Sequence, residues 1–466
     1  MRTHCEYWTR DRWMGRLLVA CLAVVASLLS TTRASSAEPC RVEIVDAENG
    51  WPVPLVELRT THEMRLVSDN AGLIAIDQPE LLGREVWFHV IGHGYEVPAD
   101  GFGYRGVRLK PESGKSLRIK VRRTIIARRL GRLTGAGLFA ESQKLGEMLD
   151  WQESGLVGCD SVMNAEYQGR HFWLWGDTTL FRYPLGVFNS TSATSASRPL
   201  TKFEPPVRID FDYFRDERGE PRGVARMPGS GPTWLTGYTT VPNDDGRERL
   251  VATYSKIRPP LEAYESGLCV WNDERREFER LKVIWSKSDE TPKPPPLPEG
   301  HPARWKDDAG DEWLLFGNPL PRLRCRATFS AWSAPAQWES LEPQTELQSA
   351  GESSDTVKPH SGSIAWNAYR KRWVTVFMQH FGKPSAFGEL WYAESDSPFG
   401  PWGPAVKVLS HDNYTFYNPR LHPEFTPADS PVLLFEELTQ CSSPTNRARR
   451  LGTTTTRFCT GWIWTT

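Results

Sequence analysis

One pattern recurs five times behind Leu133 and limits the fold more than any other feature. A polar loop leads into a short strand, a charged or glycine turn follows, and a strongly apolar strand comes next. The five cases are "CDSVMNAEYQGRHFWLWGD", "GPTWLTGYTTVPNDDGRERLVATYS", "GHPARWKDDAGDEWLLFGN", "PHSGSIAWNAYRKRWVTVFMQ" and "YNPRLHPEFTPADSPVLLFEE". Their apolar strands start at His171, Arg249, Glu312, Arg372 and Val432, at intervals of 78, 63, 60 and 60 residues. A hairpin cannot bury its apolar face alone, so the repeat predicts stacked units that share their cores with their neighbours. Each unit has room for four strands, the content of a propeller blade. Outer strands are visible in "SGLCVWND" and "GELWYAESDSPFGPWG". The expectation is an all-β chain with a five-bladed β-propeller over residues 125–466.

Ahead of the repeat, residues 40–123 alternate short β-like runs with turns. "CRVEIVDAENGWPVPLVELRT" gives two strands around Asn49-Gly50, and "MRLVSDNAGLIAID" gives two more around Asp69-Asn70-Ala71-Gly72. "REVWFHVIGHGYEV" and "SLRIKVRR" follow. Runs of this length and spacing predict a β-sandwich over 38–124. The phrasing resembles the carboxypeptidase-regulatory or transthyretin-like module, through Val45-Asp46, Pro52-Val-Pro54, Ser68 to Gly72 and Gly94-Tyr95. That resemblance implies an accessory module without chemistry. His89 and His93 read as histidines of the sheet.

The first 37 residues read as a signal peptide. Arg12 and Arg16 precede the apolar run Leu17 to Leu29, and Ser35-Ser36-Ala37 is a small-residue exit with cleavage after Ala37. The run is too short for a comfortable membrane span. A secreted, periplasmic or cell-surface protein is expected, with no membrane contact beyond the signal. Formal net charge is −1 and the sequence pI is about 6.8. Such a balance argues against nucleic acid as a partner. A monomer is the expected state. Cys40, Cys159, Cys269 and Cys325 lie far apart with no CxxC, so neither a disulfide-dense scaffold nor a zinc knuckle is implied. One or two disulfides and buried thiols both stay open.

The five hairpins resemble those of five-bladed propeller glycosidases of the arabinanase and xylosidase type. Ser395-Asp-Ser-Pro-Phe-Gly-Pro-Trp402 carries the resemblance best, as the outer-strand S-x-x-x-x-G-P-W of that family, with Asp307-Asp308-Ala-Gly310 as its third-blade turn. It covers about residues 130–440. It implies an aspartate base in the first blade, a second aspartate in the third and a glutamate acid in the fourth, all at the axial starts of the inner strands. Asp160 matches the first position, His301 stands at the second, and the fourth blade offers Val357-Lys358-Pro359-His360 with no glutamate.

Asp160, His301 and His360 are therefore the expected catalytic residues. The fifth blade adds Tyr417, Asn418 and Arg420 as substrate contacts. Asp177, at the exit of "HFWLWGD", is expected on the same rim beside Asp160, and Arg322 is a candidate clamp for a carboxylated sugar. The leading expectation is a secreted, glycoside hydrolase-like protein that holds a glycan or small sugar in the axial cleft, without a cofactor. Two alternatives stand beside it. One is a non-catalytic carbohydrate-binding or scaffold propeller. The other is a metal-dependent lactonase- or esterase-like hydrolase whose divalent ion sits in the central channel between the two histidines and the aspartate.

After Glu436 the chain changes character. "LGTTTTRFCTGWIWTT" does not read as an outer strand of a fifth blade. One permitted codon set for it, read two bases later, spells GYDYNQILYRLDLDD, a plausible strand and turn. A reading-frame shift over about 437–466 is the resulting expectation, with a last blade that lacks its outer strands. Sequencing the gene region tests it.

Overall fold

The computed structural model describes residues 38–351, 355–381, 387–411, 414–441 and 458–465. The signal segment lies outside the described residues, and among them no helix is long and apolar enough to cross a membrane.

The front of the chain folds into one eight-stranded sheet with two halves. One half joins Arg65–Val67, Val56–Thr60, Val86–Gly92 and Gly106–Leu109; the other joins Tyr95–Glu96, Ser116–Arg123, Cys40–Asp46 and Leu73–Ile76. Alternation drives the arrangement. Val42 and Ile44 of one half, and Leu58, Phe88 and Val90 of the other, turn into a single core closed by Ile119 and Val121. Cys40–Asp46 runs parallel to Ser116–Arg123, and every other pairing in this sheet is antiparallel.

Behind it stand five four-stranded antiparallel sheets, the five blades of a propeller. Blade I comprises Val162–Tyr167, Arg170–Trp175, Thr191–Ala196 and Asp212–Tyr213. Blade II comprises Thr233–Pro242, Glu248–Arg258, Glu262–Asn272 and Glu277–Ser286. Blade III holds Ala303–Lys306, Glu312–Gly317, Pro321–Arg326 and Glu339–Ser340. Blade IV holds Pro359–Asn367, Arg372–Gln379, Glu389–Ser395 and Val406–Ser410. Blade V holds Tyr414–Leu421, Val432–Cys441, Phe458–Thr465 and, from far earlier in the chain, Arg128–Arg132.

Five core clusters sit between successive blades, as the hairpin pattern requires. Leu174 packs with Leu250 and Tyr254 between blades I and II, and Val251 with Leu314 and Phe316 between II and III. Leu315 meets Ile364 and Trp373 between III and IV; Val376 meets Phe416 and Phe435 between IV and V. Trp173 and Trp175 meet Leu130, Phe425 and Leu434 where the ring closes. Trp402 of "SDSPFGPW" belongs to the cluster between blades III and IV and is buried, while Ser395 Oγ donates to Pro401 O at 2.9 Å to hold that turn. The motif is a packing device.

One expectation needs correction. The last blade is complete, because Phe458–Thr465 pairs with Val432–Cys441 as its third strand and Arg128–Arg132 pairs as its fourth. The tail pairs in spite of its composition because backbone N–H and C=O groups make the ladder, whatever side chains they carry. Residues 442–457 lie outside the described residues. Of the two states left open for the cysteines, the structure has one: Cys40, Cys159, Cys269 and Cys325 are all buried thiols and none is in a disulfide.

The eight-stranded sheet holds the closing strand. Asn70 Nδ2 donates to Arg132 O at 2.8 Å, and Arg132 N donates to Asn70 Oδ1 at 3.0 Å. Arg129 donates to the carbonyls of Leu55 and His93 at 3.1 and 3.2 Å. Asp69 Oδ2 accepts from both Ser142 N and Ser142 Oγ at 2.6 Å. His93 lies 3.0 Å from Ser410 O and edge-on to His411. The turn Asp69-Asn70 is thus the joint between the two β units.

Candidate functional site

The inner strands of blades I, II, III and V share a detail, just ahead of the strand in I and III and midway along it in II and V. Each has a residue with left-handed backbone there: Ser161 (φ 47°), Gly237 (62°), Gly300 (79°) and Asn418 (46°). In blades II and V the ladder loses register at the same place. Glycine accepts this backbone at low cost and Asn does so less often, so Ser161 is held there by its surroundings. The residues just before these kinks are Asp160, Thr236, Glu299 and Tyr417. By this structural equivalence Glu299, not His301, is the blade III counterpart of Asp160.

A ring of polar joints links all five blades near this rim. Asn418 Nδ2 donates to Ser161 Oγ at 2.6 Å, joining V to I, and Trp234 Nε1 donates to Asp177 Oδ1 at 3.3 Å, joining I to II. Gly300 N donates to Thr236 Oγ1 at 2.8 Å between II and III, and Gly362 N donates to Asn318 Oδ1 at 2.8 Å between III and IV. Ser361 Oγ donates to Asn418 Oδ1 and closes the ring from IV to V.

Asp160 and Asp177 are neighbours, as expected. Asp177 N donates to Asp160 Oδ1 at 2.9 Å, and Asp160 N donates to Asp177 O at 3.0 Å. Tyr417 and Asn418 stand at the rim, with Tyr417 partly exposed. Glu299 is exposed by surface area, yet protein surrounds its carboxyl closely enough that desolvation raises its pKa.

The remaining expected residues are elsewhere. His301 is buried; its Nδ1 lies 3.5 Å from an Arg420 guanidinium nitrogen. Burial, then the positive Arg420, hold its pKa well below the ordinary histidine value, so it is neutral. His360 is exposed and stacks on His380, with ring centroids 5.1 Å apart; burial of part of the ring and the neighbouring His380 lower its pKa. Arg322 is exposed on the third strand of blade III, away from the axis, so it cannot clamp an axial sugar. Its sequence neighbour Arg324 lies over the Trp313 ring at 4.3 Å and donates to Glu339 at 2.8 Å. Among the described residues no group of three His, Cys, Asp or Glu side chains is placed to hold a metal ion, so the proposed aspartate–dihistidine metal centre does not assemble.

Beyond the ring of joints lies a second, buried network. Arg420 donates to both the backbone and side-chain oxygens of Asn164, and Asn164 Nδ2 donates to Glu424 Oε1 at 2.7 Å. Glu424 Oε1 also lies 2.9 Å from His422 Nδ1 and 3.8 Å from Arg420. Burial opposes charge on Glu424, but the hydrogen bond and charge of His422 outweigh it and bring its pKa down to about 2. His422 is likewise opposed by burial, yet its bond to Glu424 leaves its pKa raised.

Sequence reasoning passed over Glu299 in favour of His301 and missed Asn164, Glu424 and Trp234. For Glu299 a signal was present: "TGY" at Thr236–Tyr238 and "EGH" at Glu299–His301 align on their glycines.

No protein-family model and no curated protein matches this chain. Solved structures do resemble it. An exo-1,5-α-L-arabinanase from a bovine ruminal metagenomic library is 11% identical, with a TM-score of 0.37, covering 67% of this chain and 95% of its own. An endo-1,5-α-L-arabinanase from Thermotoga petrophila RKU-1, in complex with TRIS, is 10% identical with a TM-score of 0.39, covering 68% and 75%. A GH43_1 enzyme from Xanthomonas citri complexed with xylose is 11% identical with a TM-score of 0.37, covering 66% and 87%. Likenesses this distant do not bear on the chain's chemistry, which rests on its own residues.

Proposed function

We propose that this chain is a secreted carbohydrate-active protein with a glycoside hydrolase-like site at the axial starts of its inner strands. One observation carries the reading: two carboxyl groups, Asp160 and Glu299, precede equivalent kinks in blades I and III and have contrasting surroundings. Glycosidic cleavage needs one carboxylate to act as base or nucleophile and one carboxylic acid to protonate the leaving oxygen. Asp160 has an oxygen fixed in place by the Asp177 N–H. Desolvation raises the Glu299 pKa, the direction that an acid catalyst needs. Tyr417 is an exposed ring of this rim and would meet a sugar face.

His301 changes role in this reading. It is neutral and packed against Arg420, so it positions that arginine. No resident metal or cofactor enters the proposal, and the active unit is a monomer.

A second reading has its own support. The Ser161–Asn418–Ser361 bonds cross between blades at this rim, a tight fit for a reacting substrate. A non-catalytic carbohydrate-binding propeller would use the same face. A polysaccharide screen separates the two. Product release by the wild type, lost in Asp160→Ala and in Glu299→Gln, supports the hydrolase. Retention on a glycan array with no product released supports the binding protein.

A further inference from the structure

The inner strands also enclose a cavity that opens at their opposite ends, beside the hairpin turns and away from Asp160. Its volume is about 350 Å³, within the usual range of small-molecule pockets, roughly 300–1,000 Å³. All five inner strands line it, through Asn164, Tyr238, Arg304, Trp366 and Arg420 among others. The mouth residues Glu166, Arg304 and Trp366 are exposed, whereas Tyr238, His171 and His301 toward the floor are buried.

Three features of the lining select a ligand. First, Tyr238 Oη and His171 Nδ1 have no hydrogen-bond partner among the described residues, although both side chains are about 2% exposed. Buried hydroxyl and imidazole groups are costly to leave unbonded, so they call for a hydrogen-bonding occupant. Second, the charges balance. Arg304 and Arg420 face Glu166 and Glu424, and both histidines are held neutral, chiefly by burial. An ionic ligand would find no net countercharge. Third, the Trp366 ring is 46% exposed and is held edge-on by Trp373. It also lines a neighbouring recess of about 140 Å³ that contains Tyr369, itself half-exposed, and the unpartnered Thr426 hydroxyl. A flat ring flanked by hydroxyl-hungry pockets suits the apolar face and hydroxylated edge of a sugar.

We infer that this cavity is a second, non-catalytic binding site for a neutral saccharide, with one sugar ring in the axial cavity and the next passing over Trp366 toward Tyr369. The inference is independent of the Asp160 rim and does not need that rim to be catalytic.

The test is calorimetric and saturation-transfer NMR titration of the full chain. The probes are glucose, galactose, xylose, arabinose and their linked disaccharides, with galacturonate and inorganic phosphate as charged comparators. At least one neutral disaccharide should bind more tightly than its monosaccharide, and neither charged probe should match it. Trp366→Ala should weaken that binding about tenfold, the scale of a lost ring contact. Tyr238→Phe should weaken it about threefold, as one hydrogen bond is lost. Asp160→Ala should leave this affinity unchanged, which separates the cavity from the rim. If Tyr238→Phe and Trp366→Ala bind like the wild type while Asp160→Ala does not, the inference is overturned and the sugar belongs to the rim. Preferential binding of galacturonate or phosphate, or no binding of any neutral probe by the folded wild type, overturns it as well. Tyr238→Phe is nearly isosteric and Trp366 is half-exposed, so both variants should fold; matching circular dichroism and thermal midpoints check this.

Discussion

The Asp177 main chain fixes the Asp160 side chain: Asp177 N donates to Asp160 Oδ1 at 2.9 Å, and the Asp177 carboxylate is itself engaged by Trp234 of the next blade. Each aspartate therefore has a different task. Asp160 presents a carboxylate whose orientation does not depend on the Asp177 side chain. If the rim hydrolyses glycans, Asp160→Asn should lower kcat by about 10²–10⁴-fold, the usual contribution of a positioned acid or base. Asp177→Asn should cost far less, because the backbone N–H remains. Equal losses in the two variants would remove Asp160 from its special role.

Glu299 gives that reaction a pH signature. An acid catalyst works while protonated, and desolvation raises the Glu299 pKa above the ordinary carboxyl value. The rate should fall as pH rises through that raised pKa. Glu299→Gln should abolish this alkaline limb and lower kcat for poor leaving groups more than for good ones. A wild-type limb that persists in Glu299→Gln would assign the proton to another group.

Propeller closure depends on Asn70. It is about 1% exposed and satisfies both an N–H and a C=O of Arg132 on the strand that completes blade V. Asn70→Ala leaves two buried backbone groups without partners and should destabilise the chain by about 2 kcal/mol or more. By contrast, Glu147→Gln removes a partly exposed partner of Arg41 and should change stability by less than about 0.5 kcal/mol. Urea unfolding of the two variants compares them directly.

Much of this architecture was legible in the sequence, for a physical reason. The hairpins beginning near Val162, Thr233, Ala303, Pro359 and Tyr414 each carry apolar residues on both faces of the second strand, which only neighbours on both sides can bury. The closing strand was not legible. Arg128–Arg132 reads "RRLGR", and nothing local shows that its partner is more than three hundred residues away at Thr460–Ile463. The site was legible in part. Asp160 and Asp177 were placed together because antiparallel pairing fixes their rim. Glu299 was passed over for His301, two residues further on, because the left-handed kink at Gly300 breaks the regular alternation from which facing is read.

The buried His422–Glu424 pair should make stability depend on pH in a defined direction. Glu424 has a depressed pKa of about 2, so its contribution is full above its unfolded value, about 4.3, and is lost as pH falls from there toward 2. His422 has a raised pKa, so its contribution is full below its unfolded value, about 6.5, and is lost as pH rises through the folded value. The pair therefore stabilises most between about pH 4.5 and 6.5. Glu424→Gln should cost about 3 kcal/mol in that window, because it removes the carboxylate shared by Arg420 and His422 and leaves Glu436, 3.3 Å from His422, as the buried countercharge. It should also flatten the acid side of the stability profile. Urea midpoints at pH 3, 5, 6 and 8 measure both effects.

The kinks themselves make the last prediction. Gly237 combines φ +62° with a cramped setting: a Cβ there would lie 2.0 Å from the backbone oxygen of Pro298. Gly246, in the hairpin turn of the same blade, has φ +78° but open space around it. Alanine at either position meets the left-handed penalty of about 1–2 kcal/mol. Only Gly237→Ala also forces the Pro298–Gly300 segment away, and that segment positions Glu299 and accepts the Gly237 N–H through Gly300 O at 3.0 Å. Gly237→Ala should thus destabilise by more than about 3 kcal/mol, the sum of strain and overpacking. At a temperature where it is still folded, it should also lower any rim activity through the displaced Glu299. Gly246→Ala should show the smaller stability loss with activity intact. Matching melting temperatures for the two variants would mean that the close approach at Pro298 relaxes freely, and that the kink does not hold Glu299 in place.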